Sequence, residues 1–218
     1  MITLYHCANA RSFRPLWALE ELGLPYRLMM LPFPPRVRAP DYLELNPLGT
    51  IPLLIDEDTV MTESAAICQY LASRHGPSPL AVGPGEPGYG RFLNFLHFGE
   101  ATLTFPQTLV LRYSRLEPEE RRLPQVVEDY ARWFMARLRA VTAAMEAGDW
   151  ICAGRFTAAD ISVGYALMFA ERLDLAGRFS PGVAAYWRRL QARDGFQRAL
   201  AAQTKASAEQ GLGGETSV

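Results

Sequence analysis

The chain has 218 residues, 49% hydrophobic, 21% charged and 11% aromatic, with a formal net charge of −1. That composition excludes a disordered chain. The balanced charge shows neither the basic footprint of a nucleic-acid binder nor a polybasic membrane anchor. Cys7, Cys68 and Cys152 are few, odd in number and far apart, with no C-x-x-C and no histidine at ligand spacing, so no disulfide framework and no metal site is expected, and a reducing, cytoplasmic setting fits. The near-apolar run 161–170 is too short to cross a bilayer, and the N-terminus reads as a strand rather than as a signal peptide.

The N-terminal part alternates strand and helix. Ile2 to His6 reads as a strand. Ser12 to Leu22 reads as a helix, with Phe13, Leu16, Trp17 and Leu19 on the buried face, Pro15 in the first turn and Gly23 at the end. Tyr26 to Leu31 is a second strand, and PDYLELNP is a short helix stopped at Asn46-Pro47. Ile51 to Ile55 and Val60-Met61 flank the turn Asp56-Glu57-Asp58, and Ser64 to His75 is a helix. The order βαβαββα predicts an α/β domain whose first two strands are parallel through a right-handed crossover.

Residues 76–90 contain nine Gly or Pro in fifteen, which bars helix and strand alike. They divide an N-terminal domain, 1–80, and a linker, 81–90, from a C-terminal domain, 91–218, with no strand pattern. Tyr89 to Tyr113 predicts a long helix kinked at Pro106. Val126, Tyr130, Phe134, Leu138, Val141 and Met145 predict one helix from Pro124 to Gly148. Further helices are predicted over 157–173, 182–193 and 195–203, and a frayed tail over 204–218.

The string NPLGTIPLLIDEDTVMTESAAICQYLA, together with RSFRPLWALEELGLPYRL and FTAADISVGYAL, resembles the cytosolic glutathione transferases over nearly the whole chain. The resemblance implies a thioredoxin-like N-terminal domain and an all-α helical-bundle C-terminal domain. It also implies a homodimer that uses glutathione as co-substrate, needs no metal, and carries an apolar electrophile pocket on its helices at the domain cleft.

It further implies a cis bond at Ile51-Pro52, which an X-Pro peptide tolerates. There the main-chain groups of Ile51 would pair with glutathione as with an added strand. Glu63 and Ser64 open a helix, where free N–H groups and a hydroxyl suit the γ-glutamyl carboxylate and Glu63 suits its ammonium. Ser64 is equally a plain N-cap candidate. Arg38 or Arg36 would meet the glycine carboxylate, and solvated surface charge explains either as well. Thr157-x-x-Asp160 is a capping box and is assigned to folding.

The thiol-activating position is where the chain departs from the family. Tyr5-His6-Cys7-Ala8-Asn9-Ala10-Arg11-Ser12 has alanine where many relatives have the first serine of S-R-S, and Cys7 falls too early, as a small buried apolar residue. A free thiol of pKa about 8.5 is only about 3% ionised at pH 7. A helix N-terminus contributes up to about 2 kcal/mol and one hydrogen bond to the charged sulfur about 1.5–3 kcal/mol. Together these suffice for a glutathione thiolate at neutral pH with no protein base. The candidates for that bond rank Ser12, then Asn9, then Tyr5. Ser12 as a plain N-cap is the competing reading. Rival functions are a glutathione-dependent disulfide reductase or peroxidase and a non-catalytic ligand-binding module, because fold does not fix chemistry.

Overall fold

A computed structural model describes residues 1–212. The chain divides into two compact units, Met1–Ser78 with the chain from Gln191 onward, and Pro79–Leu190.

The first unit is built on four strands: β1 (Ile2–His6), β2 (Tyr26–Met30), β3 (Leu53–Asp56) and β4 (Thr59–Met61). They lie in the order β2-β1-β3-β4. β1 runs parallel to β2, with Ile2 opposite Tyr26, and antiparallel to β3, with Leu4 opposite Leu54. The β3–β4 hairpin turns through Glu57 at φ 53. Helices α1 (Phe13–Leu22) and α3 (Ser64–Arg74) flank a short helix α2 (Pro35–Arg38) and a 3₁₀ turn, Pro40–Glu44. This is the thioredoxin-like arrangement expected from the sequence.

Two-residue periodicity in β1 buries Ile2, Leu4 and His6 and leaves Thr3 and Tyr5 half-buried. The core of this unit is Leu4, Leu16, Trp17, Leu19, Leu54, Ile67 and Leu71, all fully buried. A second cluster of Cys7, Ala10, Tyr42, Ile51 and Leu53 has Tyr5 packed against it. Cys7 is thus the small buried group expected.

Helix α10 (Asp194–Glu209) belongs to this unit rather than to the helical one. Phe196 packs edge-on against Phe13 and Trp17 with centroids 5.5 and 4.9 Å apart. Arg193 binds Glu21 through both Nε (2.7 Å) and Nη2 (2.8 Å). Residues 204–209, expected to fray, are helical. Beyond them Gln210 accepts from Met30 N–H at 2.8 Å and donates to Leu28 C=O at 2.9 Å, so it pairs with the open edge of β2. Tertiary contacts override the tail's small, polar composition. Residues 213–218 of that expected tail lie outside the described residues.

The second unit is helical: α4 (Tyr89–His97), α5 (Phe105–Leu111), α6 (Pro124–Arg137), α7 (Arg139–Ala147), α8 (Ala158–Arg172) and α9 (Pro181–Gln191), the last helix ending one residue into the first unit. Two expectations are corrected. The long segment from Tyr89 is not a helix kinked only at Pro106, because it passes through π-helical turns at Phe98–Thr104 and Arg112–Leu116. The helix predicted from Pro124 to Gly148 breaks at Leu138, which caps α6 and opens α7; its apolar steps continue across the break, so periodicity could not reveal it. The expected capping box is present. Asp160 Oδ2 accepts from Thr157 N–H (2.8 Å) and Thr157 Oγ1 (3.0 Å), while its Oδ1 accepts from Ile151 N–H (3.0 Å) and Tyr186 O–H (2.8 Å). Among the aromatic residues of this unit, Phe169 is core and Phe105 is 52% exposed.

Candidate functional site

The candidate site is assembled at one end of the sheet by three chain segments of the first unit: the turn from β1 to α1, the loop before β3, and the start of α3. Its scaffold begins at Asn46. That buried amide donates to Thr50 C=O at 2.8 Å and accepts from Leu48 N–H at 3.2 Å, and Tyr42 O–H donates to the same carbonyl at 2.7 Å. Gly49, at φ 58, lies so close to α2 that a Cβ there would meet Arg36 Cβ at 2.5 Å. These contacts fix the loop that presents Ile51, whose peptide bond to Pro52 is cis.

At the start of α3, Glu63 is exposed and Ser64 wholly buried. Arg11 ties the three segments together: its Nε donates to Ile51 C=O at 2.8 Å, its Nη1 to Glu63 Oε2 at 3.2 Å and its Nη2 to Thr62 C=O at 3.4 Å. One of the two Ile51 main-chain groups expected to face glutathione therefore already carries a side-chain donor. Arg14, fully buried on α1, donates from Nη1 to Ser64 Oγ at 3.2 Å. Arg36 and Arg38 are exposed on α2 rather than on a loop.

The turn itself holds a closed polar network. Gln203, on α10, accepts through Oε1 from Asn9 N–H (3.1 Å) and from His6 Nε2–H (3.0 Å), and donates through Nε2 to Asn9 Oδ1 (2.8 Å). The Asn9 backbone N–H can only donate, which identifies Gln203 Oε1 as the acceptor and so places the His6 proton on Nε2. His6 Nδ1 is then an acceptor, and Ser12 O–H donates to it at 2.7 Å while Ser12 Oγ accepts from Cys7 N–H at 3.3 Å. His6 is fully buried. Burial lowers its pKa to about 4, against the opposing pull of its bond to Gln203 and of the Ser12 main chain.

Ser12 stands at the N-cap position of α1, but its hydroxyl is completely buried, turned toward His6, and makes no side-chain cap to the helix. A serine at a helix start has the same local sequence whether it faces solvent, its own helix or the preceding strand. Asn9 lies at the turn with φ 62, and its carboxamide oxygen is bound to Gln203. Tyr5 is half-buried, its ring 5.7 Å from that of Tyr42.

Arg11, Arg14, His6 and Gln203 were not expected here. His6 was detectable in principle, because period-two burial with Ile2 and Leu4 places an imidazole in the core, where it needs partners. Arg14 shares the first turn of a helix whose other residues are core. Gln203 carries no local signal. Among the described residues, no cluster of three or more His, Cys, Asp or Glu could hold a metal ion, and no helix is long and apolar enough to cross a membrane.

A family model described as "Glutathione S-transferase, N-terminal domain" matches residues 10–74. Among curated proteins, glutathione S-transferase GST-4.5 of Xanthomonas campestris pv. campestris is 30% identical over 92% of this chain and 98% of its own length. Glutathione S-transferase 3 of Zea mays is 30% identical over 84% of this chain and 86% of its own. Among solved structures, a glutathione transferase from Methylococcus capsulatus superposes with a TM-score of 0.83 at 28% identity, covering 94% of this chain and all (100%) of that one. The transferase URE2P6 from Phanerochaete chrysosporium, in complex with oxidized glutathione, superposes at 0.82 with 27% identity, covering 94% and 97%.

Proposed function

Because this chain belongs to the glutathione S-transferase family, we propose that it binds glutathione at the Arg11-linked end of its first unit, ionises the thiol, and directs the thiolate at an electrophilic carbon. The observation that carries the reading is the convergence on Arg11 of the Ile51 carbonyl, Thr62 and Glu63, beside the N-terminus of α1.

In this reading residues 1–80 bind the peptide. Ile51 pairs with the cysteinyl main chain of glutathione. The α3 N-terminus with Ser64 receives the γ-glutamyl carboxylate, Glu63 its ammonium, and Arg38 the glycine carboxylate. The sulfur sits before α1, where the positive end of the helix favours the anion. With the Ser12 hydroxyl turned inward, the order of side-chain candidates at the sulfur becomes Asn9, then Tyr5. The thiolate attacks carbon, the C–S bond forms as the leaving group departs, and the proton lost earlier by the thiol goes to solvent. The helical unit supplies apolar contacts to the second substrate. The chain acts as a cytoplasmic homodimer, a state that light scattering would check.

The test is to titrate glutathione into the protein and follow thiolate absorbance across about pH 5 to 9, bracketing the free thiol near 8.5. A bound thiol ionising at least about one pH unit below the free value is expected. Binding with an unshifted thiol would leave a ligand-binding module. No binding would remove the assignments of Ile51, Pro52, Glu63 and Ser64.

A further inference from the structure

We propose that Gln203 is a positioning residue for thiol activation, acting through Asn9 and His6 from the far end of the chain. The inference rests on the thiolate reading above and concerns what holds the activating turn in shape.

The turn needs holding. Asn9 is at φ 62, a left-handed conformation that asparagine tolerates better than most residues but that its surroundings must still select from the alternatives. Gln203 makes that selection at both ends of the residue, taking the Asn9 main-chain N–H on Oε1 and the Asn9 side-chain oxygen on Nε2. The same Oε1 accepts from His6 Nε2. This fixes the imidazole tautomer, which in turn directs the Ser12 hydroxyl. All four side chains are at most 6% exposed, so water cannot replace a missing partner readily. The residues immediately after this network open α1, and the N–H groups there are the ones whose direction stabilises a thiolate. Electrostatic stabilisation depends on donors being held in place before charge develops.

α10 is docked by other means as well. Phe196 packs on Phe13 and Trp17, Arg193 pairs with Glu21, and Arg198 Nη2 donates to Glu20 C=O at 2.6 Å. Removing the Gln203 amide therefore leaves the helix attached while the turn loses its clamp. The two roles, docking and positioning, are separable by experiment.

Gln203→Met keeps length and burial but removes every hydrogen bond. Gln203→Glu keeps the acceptor oxygens and loses the donor to Asn9 Oδ1, and serves as the second variant should the first fold poorly. Phe196→Leu is the control that weakens docking without touching the network. Each is measured with glutathione alone for the bound thiol pKa, with an aryl halide for the pH profile of kcat/KM, and by thermal unfolding. We expect Gln203→Met to raise the bound thiol pKa by about one pH unit, which lowers kcat/KM about tenfold below the wild-type pKa and restores it at alkaline pH. KM for glutathione should change less than kcat. Phe196→Leu should lower Tm and leave the thiol pKa in place. A Gln203→Met or Gln203→Glu protein that folds and keeps the wild-type thiol pKa overturns the proposal, as does an equal shift in Phe196→Leu. Wild-type protein that binds glutathione with an unshifted thiol instead removes the activation reading on which the proposal rests.

Discussion

Arg14 Nη1 donates to Ser64 Oγ at 3.2 Å, and both side chains are wholly buried. The bond joins α1 to α3, the two helices whose N-termini are proposed to meet the sulfur and the γ-glutamyl group of glutathione. The buried guanidinium gives Ser64 a bearing on the fold beyond the ligand role proposed for it, since a hydrogen bond to a charged group is worth about 1.5–3 kcal/mol. Ser64→Ala should lose stability on that scale in denaturant titrations as well as weaken glutathione binding in calorimetry. Unchanged stability would mean that Arg14 is satisfied without Ser64, and unchanged affinity would remove Ser64 from the glutathione site.

His6 predicts a pH dependence of folding. Its pKa falls from 6.5 to about 4 on folding, so between those values the unfolded chain binds the proton and the folded chain does not. Stability therefore decreases as pH falls through that window and recovers as pH rises. At about 1.4 kcal/mol per pH unit of displacement, the full effect is roughly 3 kcal/mol. His6→Gln removes the titration, and the difference between its stability curve and the wild-type curve should flatten above pH 6.5 and below about pH 4. A constant difference across the window would show that His6 does not remain neutral when folded.

Asp160 is the corresponding node of the helical unit. Burial pushes its pKa up, opposed by the donors that surround the carboxylate, Ile151 N–H first and then Tyr186 O–H. Its two oxygens meet four donors across the start of α8, the segment before it, and α9. Asp160→Ala leaves those donors without their acceptor and should destabilise the protein by at least about 3 kcal/mol. Asp160→Asn, of nearly the same volume, should retain part of that loss because its amide nitrogen cannot accept. An Asp160→Asn protein that keeps the wild-type Tm would show that packing rather than hydrogen bonding dominates there.

The residues with local rules were legible in the sequence: the strands of the first unit, the capping box Thr157-x-x-Asp160, the helix start at Ser64 and the proline at Pro52. Each depends on neighbours within a few positions. What was not legible depends on partners far along the chain. Ser12 looks like a cap or a sulfur ligand until His6 Nδ1 is found 2.7 Å from its hydroxyl. Residues 204–209 look like a polar tail until the packing of Phe196 on α1 and the bonds of Gln210 to β2 are known. The break at Leu138 preserves the apolar spacing on both sides and so leaves no trace in periodicity.

Arg11 gives a prediction that separates its two possible contributions. It bonds Ile51, Thr62 and Glu63 from a side chain 24% exposed, so it both holds the loop and adds positive charge beside the proposed glutathione site. Arg11→Lys keeps the charge but not the fork of donors. Arg11→Gln keeps some donors but not the charge. If loop geometry dominates, both should raise KM for glutathione several-fold, as loss of about 1 kcal/mol of binding would. If charge dominates, only Arg11→Gln should do so, and added salt should narrow its gap from wild type.

Gly99 tests the close approach of α8 in the helical unit. It sits in the π-helical turn after α4, where a Cβ would lie 2.4 Å from Ser162 Oγ, 2.5 Å from Ser162 C and 2.6 Å from Ser162 O. Ser162 Oγ donates to Leu96 C=O at 2.6 Å, and Thr104 Oγ1 donates to Gly99 C=O at 2.8 Å. The turn and α8 are thus closely apposed at their main chains, with the Ser162 and Thr104 hydroxyls bonded to the Leu96 and Gly99 carbonyls. Gly99→Ala should cost about 3 kcal/mol, at the upper end of overpacking effects, because backbone rather than a flexible side chain must move. The double variant Gly99→Ala/Ser162→Ala clears only the Oγ contact and leaves the main-chain atoms, so it should recover little of that loss. Full recovery of Tm in the double variant would show that the hydroxyl alone, and not the approach of the two helices, requires glycine at this position.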